Sequence, residues 1–278
     1  MAAITPKQVD FGASDAPLNP DQAAACSDCV QIPWALSATV PTYNIPGVAS
    51  GQLRLTGPVL ADIFLGKITN WNDPAIAALN KGVSLPDQKI TVAHRSDGSG
   101  DTYAFTDYLD HVSSTWASQV GSATAVNWPV GVGGKGNSGV AGVIASTPGA
   151  IGYISVAYVK QNHLSWARMK NAAGNFVLAT EPAIESAAQL VKTVPADNKL
   201  SIVDPPASAK YKNAWPLSTF TYIILHKTTP QATDLRHFVF WALTPKTQKL
   251  ISNSFLVFAP IPKVVLVAAE KTLTQVHS

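Results

Sequence analysis

Short apolar runs alternate along this chain with longer segments in which apolar residues recur at helical spacing. The short runs predict strands at 31–40, 89–94, 151–156 and 219–226. The longer segments predict helices at 57–66, 74–80, 101–112, 138–147, 182–191, 233–252 and 262–276. Within 233–252, Leu235, Phe238 and Val239 fall on one face, which predicts a single amphipathic helix. Strands that alternate with helices predict an α/β architecture.

Composition supports a folded protein with a sizeable core. The chain has 278 residues, of which 46% are hydrophobic and 13% charged, values that argue against disorder. The net charge of +3 is not gathered into a basic stripe, so no nucleic-acid partner is expected. No apolar run reaches the roughly 20 residues that span a bilayer, and the first residues do not have the pattern of a signal peptide.

Two cysteines lie three positions apart, at Cys26 and Cys29. This spacing is compatible with a small-loop disulfide, with free thiols, with half of a zinc site or with a redox pair. A zinc site needs two more ligands, and the sequence contains no second cysteine pair and no paired-histidine motif. We therefore expect a local disulfide or free thiols, and no metal site.

A glycine-rich segment, Arg95-Ser-Asp-Gly-Ser-Gly-Asp-Thr102, is the strongest candidate for chemistry. It follows a predicted strand and begins a predicted helix, and the first turn of a helix has free N–H groups that bind anions. Arg95 offers a planar fork for two anion oxygens, and Asp97 is placed to hold that fork. The alternative is a capped turn with a surface salt bridge.

A second motif, at residues 9–17, favours the anion-binding interpretation over the capped turn. It belongs to a set of five short sequence motifs that occur in a fixed order. These are DFGASDAPL (10–18), LGKITNWND (65–73), RSDGSGDTYAFTDYL (95–109), GGKGN (133–137) and PGAIGY (148–153). In this order and spacing, the chain resembles the phosphate-binding proteins of bacterial phosphate ABC transporters. The resemblance covers essentially the whole sequence.

The resemblance implies a two-lobed α/β fold, the type II periplasmic-binding-protein fold, with hinged lobes that close on a ligand in the cleft. It implies that the strands near 33–39 and 216–222 cross between the lobes. The first lobe would comprise 1–37 and 222–278, and the second lobe would comprise 38–221.

The resemblance also implies a phosphate site. Its members would be Asp15, Arg95, Ser99, Gly100 and Asp101, with Asp97 orienting Arg95. Asp15 would accept a hydrogen bond from a P–OH group, which sulfate does not have, while Arg95, Ser99 and backbone N–H groups would donate to the anion oxygens. Asp15 is alternatively a turn residue before Pro17, and Asp101 is alternatively an acid that complements the helix dipole.

Members of that family have a further segment upstream of the point where this sequence begins. It contains a first strand, a glycine-containing turn and a Gly-Ser-Gly-rich loop, and nothing here matches it. The resemblance therefore implies an incomplete first lobe, strands with unpaired edges and a phosphate site that has lost some of its ligands.

The function implied is phosphate uptake by a periplasmic, monomeric binding protein that docks on a membrane permease, without catalysis and without a cofactor. One alternative is a phosphate-ester hydrolase with Ser99 or Asp15 as nucleophile, and another is an interaction module that binds no anion. A dinucleotide site at 131–136 is not favoured, because no acidic residue occurs between Asp110 and Glu181.

Overall fold

The structure, a computed structural model, describes residues 4–252 and 257–278. Its strands are β1 (Gly12–Ser14), β2 (Cys29–Asn44), β3 (Arg54–Leu55), β4 (Thr91–Arg95), β5 (Val132–Gly134), β6 (Ala150–Ser155), β7 (Ser165–Trp166), β8 (Arg168–Lys170), β9 (Phe176–Val177) and β10 (Ser218–His226). Its helices are α1 (Pro20–Ala25), α2 (Gly57–Phe64), α3 (Pro74–Leu79), α4 (Gly100–Val112), α5 (Ser114–Gln119), α6 (Gly136–Ser146), α7 (Val156–Gln161), α8 (Glu181–Ala188), α9 (Ala232–Leu243), α10 (Pro245–Ser252) and α11 (Lys263–Leu273).

The main sheet has the strand order β1-β10-β2-β6-β4-β5, with β7 also paired to β2. β10 pairs with β2 in antiparallel register from Cys29 to Ala38, and β6 pairs with β2 from Thr39 to Asn44. The long strand β2 therefore changes partner between Ala38 and Thr39 and belongs to both halves of the sheet. None of the helices in the described residues is long and apolar enough to cross a membrane.

Buried aromatic side chains form much of the core, and two buried tryptophans donate hydrogen bonds to backbone carbonyls. The indole N–H of Trp71 donates to the Gly149 carbonyl at 2.9 Å, and that of Trp215 donates to the Thr39 carbonyl at 3.1 Å. Phe105 of α4 stacks on Tyr153 of β6 with ring centroids 4.4 Å apart. Pairing of the buried N–H groups avoids a desolvation penalty of about 1–3 kcal/mol each. The stacking of Phe105 on Tyr153 packs α4 against the sheet, and α4 begins at the glycine-rich segment.

The prediction of one helix over 233–252 is wrong. The segment forms two helices, α9 and α10, that are separated at Thr244 (ψ 146°) and Pro245. Proline disfavours helical geometry in the residue before it and has no N–H to donate to the preceding turn. The helical periodicity continues across Pro245, whereas the helix itself breaks there.

Candidate functional site

The loop between β4 and α4 presents the glycine-rich segment. Ser99 is the residue that caps α4, and its Oγ accepts hydrogen bonds from the backbone N–H of Asp101 at 3.1 Å and of Thr102 at 3.4 Å. The Thr102 hydroxyl lies 2.7 Å from the Tyr153 hydroxyl, which also accepts from the Arg95 backbone N–H at 3.2 Å. The end of β4 and the first turn of α4 are thus tied to the same buried tyrosine.

The Arg95 guanidinium is held from several sides. Its Nε and Nη2 donate to the two carboxylate oxygens of Asp97 at 2.8 and 2.6 Å, and its Nη1 donates to Ser99 Oγ at 2.8 Å and to Asn137 Oδ1 at 3.3 Å. The backbone N–H of Gly136 donates to Asp97 Oδ1 at 2.9 Å. The hydrogen bond from Arg95 is the main cause that lowers the pKa of Asp97 well below its usual range. Arg95 is therefore fixed in place as a cation.

Asp101 is buried beside this arginine. Its Oδ1 accepts from the hydroxyl of Thr39 at 2.9 Å, and its Oδ2 is 3.9 Å from Arg95 Nη1. Burial raises the pKa of Asp101, while hydrogen bonds from Thr39 and Asn137 oppose that shift. Because Thr39 lies where β2 changes partner, the strand shared by both halves of the sheet contacts the site directly.

Asp15 follows β1 and approaches the same point from the other side. The Thr219 hydroxyl donates to its backbone carbonyl at 2.8 Å. Burial, followed by the nearby charge of Asp101, raises the pKa of Asp15 to about 7, and a hydrogen bond from Thr221 opposes the shift. Two carboxyl groups that resist ionisation therefore lie near one fixed guanidinium.

A cavity of about 700 Å³ opens over this arrangement. The residues predicted for the site that line it are Asp15, Arg95, Ser99, Gly100 and Asp101. Asp97 lies behind Arg95 as its hydrogen-bond partner. Ile4, Val9 and Phe11 line an apolar part of the wall. A small number of convergent polar groups in a concave, partly apolar cavity is typical of a small-molecule site.

Sequence reasoning missed Thr39, Asn137 and Thr221, which support the site's charged groups. They come from β2, α6 and β10, far from both motifs along the chain. The GGKGN motif, which contains Asn137, was the sequence feature that could have indicated this contact. Its spacing alone does not show that the Asn137 amide contacts Arg95.

Comparison with known proteins decides the family. Residues 1–246 match the family described as PBP superfamily domain. The phosphate-binding protein PstS of Pasteurella multocida is 41% identical over 266 residues, which cover 95% of this chain and 75% of the relative. The chain belongs to the PstS family. The PstS protein of Xylella fastidiosa (strain Temecula1) is 43% identical over 232 residues, which cover 84% of this chain and 63% of that relative.

The fold agrees with this assignment. A solved structure described as a high affinity periplasmic phosphate-binding protein, PfluDING, bound with phosphate superposes with a TM-score of 0.75 at 21% identity. The match covers 95% of this chain and 78% of that one. The predicted two-lobed type II fold and the resemblance to phosphate-binding proteins are thereby confirmed. The lobe boundaries at 37/38 and 221/222 remain a prediction.

The geometry does not favour hydrolase chemistry in this PstS-family site. Ser99 Oγ accepts from Arg95 and from two backbone N–H groups, and its described contacts include no histidine. His94 is the histidine nearest to Arg95 in sequence, and its ring stacks on Trp128 with centroids 4.9 Å apart. A serine nucleophile needs an adjacent base to take its proton. Within the described residues, Ser99 is arranged as an acceptor and a helix cap.

The raised pKa of Asp15 predicts how stability depends on pH. A carboxyl that keeps its proton longer in the folded state contributes stability at low pH, and that stability is lost as pH rises from about 4 through about 7. Asp15→Asn has no such loss, so we expect its melting temperature to exceed that of the wild type increasingly from pH 5 to pH 8. At pH 8 we expect at least about 1 kcal/mol, which corresponds to about 2–4 °C.

Thermal unfolding in phosphate-free buffer, followed by circular dichroism, measures this difference. The Asp10→Asn variant is the matched control, because Asp10 is exposed in the same segment. A constant difference between Asp15→Asn and wild type across this pH range would contradict the assignment of the raised pKa to Asp15.

Gly100 allows the two motifs to approach each other. A Cβ atom added at Gly100 would lie 2.5 Å from the backbone nitrogen of Asp15, whereas one added at Gly98 meets nothing within 4 Å. We expect Gly100→Ala to destabilise the protein by about 1–2 kcal/mol, because the Asp15 backbone must shift, while Gly98→Ala changes stability by less than about 0.5 kcal/mol. Urea unfolding of both variants compares them, and equal stabilities would contradict the close approach.

Proposed function

We propose that this protein binds inorganic phosphate in the cavity between Asp15 and Arg95 and delivers it to the permease of a phosphate ABC transporter. The observation that carries the proposal is the convergence of a fixed guanidinium, a helix N-terminus and two carboxyls of raised pKa on one cavity. The names of the curated relatives, which are phosphate-binding proteins, support it.

The donors of the site match the oxygens of a tetrahedral anion. Asp97 occupies the Nε–Nη2 side of the Arg95 guanidinium, and Nη1 donates to Ser99 and, at 3.3 Å, to Asn137. An anion on the Nη1–Nη2 side would accept from the second N–H of Nη2 and would displace the long Asn137 contact from Nη1. The Ser99 hydroxyl proton and the backbone N–H of Gly100, the first residue of α4, add further donors. Charge-assisted hydrogen bonds of this kind contribute about 1.5–3 kcal/mol each.

The acceptors of the site match the protons of phosphate. At neutral pH, phosphate carries one or two P–OH groups, and Asp15, whose pKa of about 7 leaves it partly ionised at that pH, accepts a hydrogen bond from a P–OH group in its ionised form. Sulfate has no proton to donate, so a carboxylate that faces it is unpaired and repelled at a cost of about 1–3 kcal/mol or more. We infer that the two carboxyls select phosphate over sulfate and make binding depend on pH.

The proposed biological role requires the protein to bind and release phosphate without any chemical reaction. Ligand binding would shift the equilibrium between open and closed lobes toward the closed form, which would dock on the permease. The protein acts in this scheme as a periplasmic, monomeric carrier and not as an enzyme. The solved structure named as a periplasmic phosphate-binding protein, which shares the fold, supports this location.

The proposed function is tested by isothermal titration of the purified chain at pH 7, after endogenous phosphate has been removed. We expect saturable heat with phosphate at one site per chain and no heat with sulfate at the same concentration. A chain that is folded by circular dichroism but gives no heat with phosphate would overturn the proposal. It would leave the alternative in which the chain is an interaction module that binds no anion.

A further inference from the structure

Away from the phosphate cavity, side chains that can bind a metal converge around the cysteine pair. The ligand atoms of Cys26, Cys29 and His226 all lie within 4.8 Å of one another. The His226 Nδ1 atom is 3.9 Å from Cys26 Sγ and 3.4 Å from the Asp28 carboxylate oxygen Oδ2. In the structure, the two cysteines form a disulfide. Two sulfurs, one imidazole nitrogen and one carboxylate oxygen are the donors that tetrahedral zinc prefers.

The orientation of His226 is fixed by a group that can only accept a hydrogen bond. Its Nε2 lies 2.7 Å from the carbonyl oxygen of Ile4, so Nε2 carries the proton. In the neutral ring, the lone pair on Nδ1 then faces Cys26 and Asp28. Histidines that bind metals are held in the same manner, with the other ring nitrogen donating to a carbonyl or carboxylate.

The backbone holds these groups in register. His226 is buried at the end of β10 and pairs directly with Cys29 of β2. The backbone N–H of Lys227, the next residue, donates to the Asp28 carbonyl at 2.8 Å. The loop 26–29 is thus tied to the end of β10, and its side chains would stay near His226 when the disulfide is opened.

We propose that the reduced form of the protein binds one zinc ion through the Cys26 and Cys29 thiolates and His226 Nδ1, with the Asp28 carboxylate as the fourth ligand. The disulfide and the metal use the same two sulfur atoms and exclude each other.

The chemistry requires a dithiol reductant. The reductant supplies two electrons and two protons: the Cys26–Cys29 bond breaks, two S–H groups form, and the reductant becomes its own disulfide. Zn²⁺ then displaces both thiol protons to solvent, and the two thiolates balance its charge. Bound zinc would in turn keep the sulfurs from reoxidising.

The sequence did not reveal this site because its ligands are remote from one another. The cysteine spacing supplied half of a zinc site, and no second pair was visible. The fold brings in His226 from 200 positions away from Cys26. The fourth candidate, Asp28, lies between the cysteines and has no metal-binding motif of its own.

Cobalt(II) serves as a spectroscopic probe for zinc in the full chain, reduced with a dithiol that is then removed. We expect one equivalent of cobalt to give a thiolate-to-cobalt charge-transfer band and intense tetrahedral d–d bands, which zinc abolishes. The oxidised protein should give neither. His226→Gln keeps a donor toward Ile4 but removes the Nδ1 ligand, and we expect it to weaken zinc binding by at least about 100-fold. The matched control is His237→Gln, at an exposed histidine, which should bind as the wild type does.

Three results would overturn the proposal or a part of it. The absence of a cobalt–thiolate band in reduced protein that is folded by circular dichroism would exclude the site. Unchanged affinity in His226→Gln would exclude the histidine and leave adventitious binding by two thiols. Unchanged affinity in Asp28→Asn would exclude that carboxylate as the fourth ligand.

Discussion

Replacing Arg95 with alanine is expected to weaken phosphate binding by about 10²- to 10⁴-fold. The change removes charge-assisted hydrogen bonds to the anion, two of which contribute about 3–6 kcal/mol together. It also leaves the carboxylates of Asp97 and Asp101 without the cation that they contact, so the cavity becomes more repulsive to any anion. Isothermal titration with phosphate at pH 7 measures the loss.

Two variants accompany this measurement. Arg236→Ala removes an exposed arginine of α9, far from α4 along the chain, and we expect it to bind phosphate as the wild type does. Arg95→Lys retains the positive charge but not the planar fork, so we expect an intermediate affinity. If Arg95→Ala bound phosphate within about threefold of the wild type while remaining folded, Arg95 would not contact the anion.

Replacing Asp15 with asparagine is expected to change the ratio of phosphate to sulfate affinity by about 10²- to 10⁴-fold. Two effects add. Phosphate loses the ionised acceptor for its P–OH group, at a cost of about 1.5–3 kcal/mol, and sulfate is relieved of an unpaired carboxylate worth about 1–3 kcal/mol. The amide N–H of the new side chain can also donate to a sulfate oxygen.

The selectivity is measured by titrating each variant with phosphate and with sulfate in the same buffer at pH 7 and pH 8. Asp10→Asn makes the same chemical change at an exposed neighbouring position and should leave the ratio unchanged. Continued rejection of sulfate by Asp15→Asn would assign the discrimination elsewhere, with Asp101 as the next carboxylate to test.

The local features of the site could be predicted from the sequence because neighbouring residues determine them. The helix expected from Asp101 to Val112 is α4, Gly100–Val112, and Ser99 caps it through its own side chain. A glycine loop with a capping serine specifies this geometry within a few residues. The Arg95–Asp97 pair likewise joins residues two positions apart.

Features that depend on distant segments could not be predicted. Thr39 and Asn137 contact the site only because β2 packs beside α4 and α6 packs beside β4, and residue type alone does not indicate such packing. The raised pKa of Asp15 comes from burial and from Asp101, neither of which a single sequence displays. His226 meets the cysteines for the same reason.

The partner change within β2 has a mechanical consequence. Residues 29–38 are paired with β10, with one register shift opposite Thr221 and Tyr222, and residues 39–44 are paired with β6, so one continuous strand joins the two halves of the sheet. Rotation of one half against the other must be absorbed as a change in strand twist, spread over several residues, because no flexible loop is available at this crossing. Such a connection would limit the angle of opening between the proposed lobes and would keep its amide protons protected from exchange in both the open and the closed form. Thr39 lies at the point of the partner change and donates a hydrogen bond to Asp101, so a change in strand twist would alter the geometry of that hydrogen bond directly.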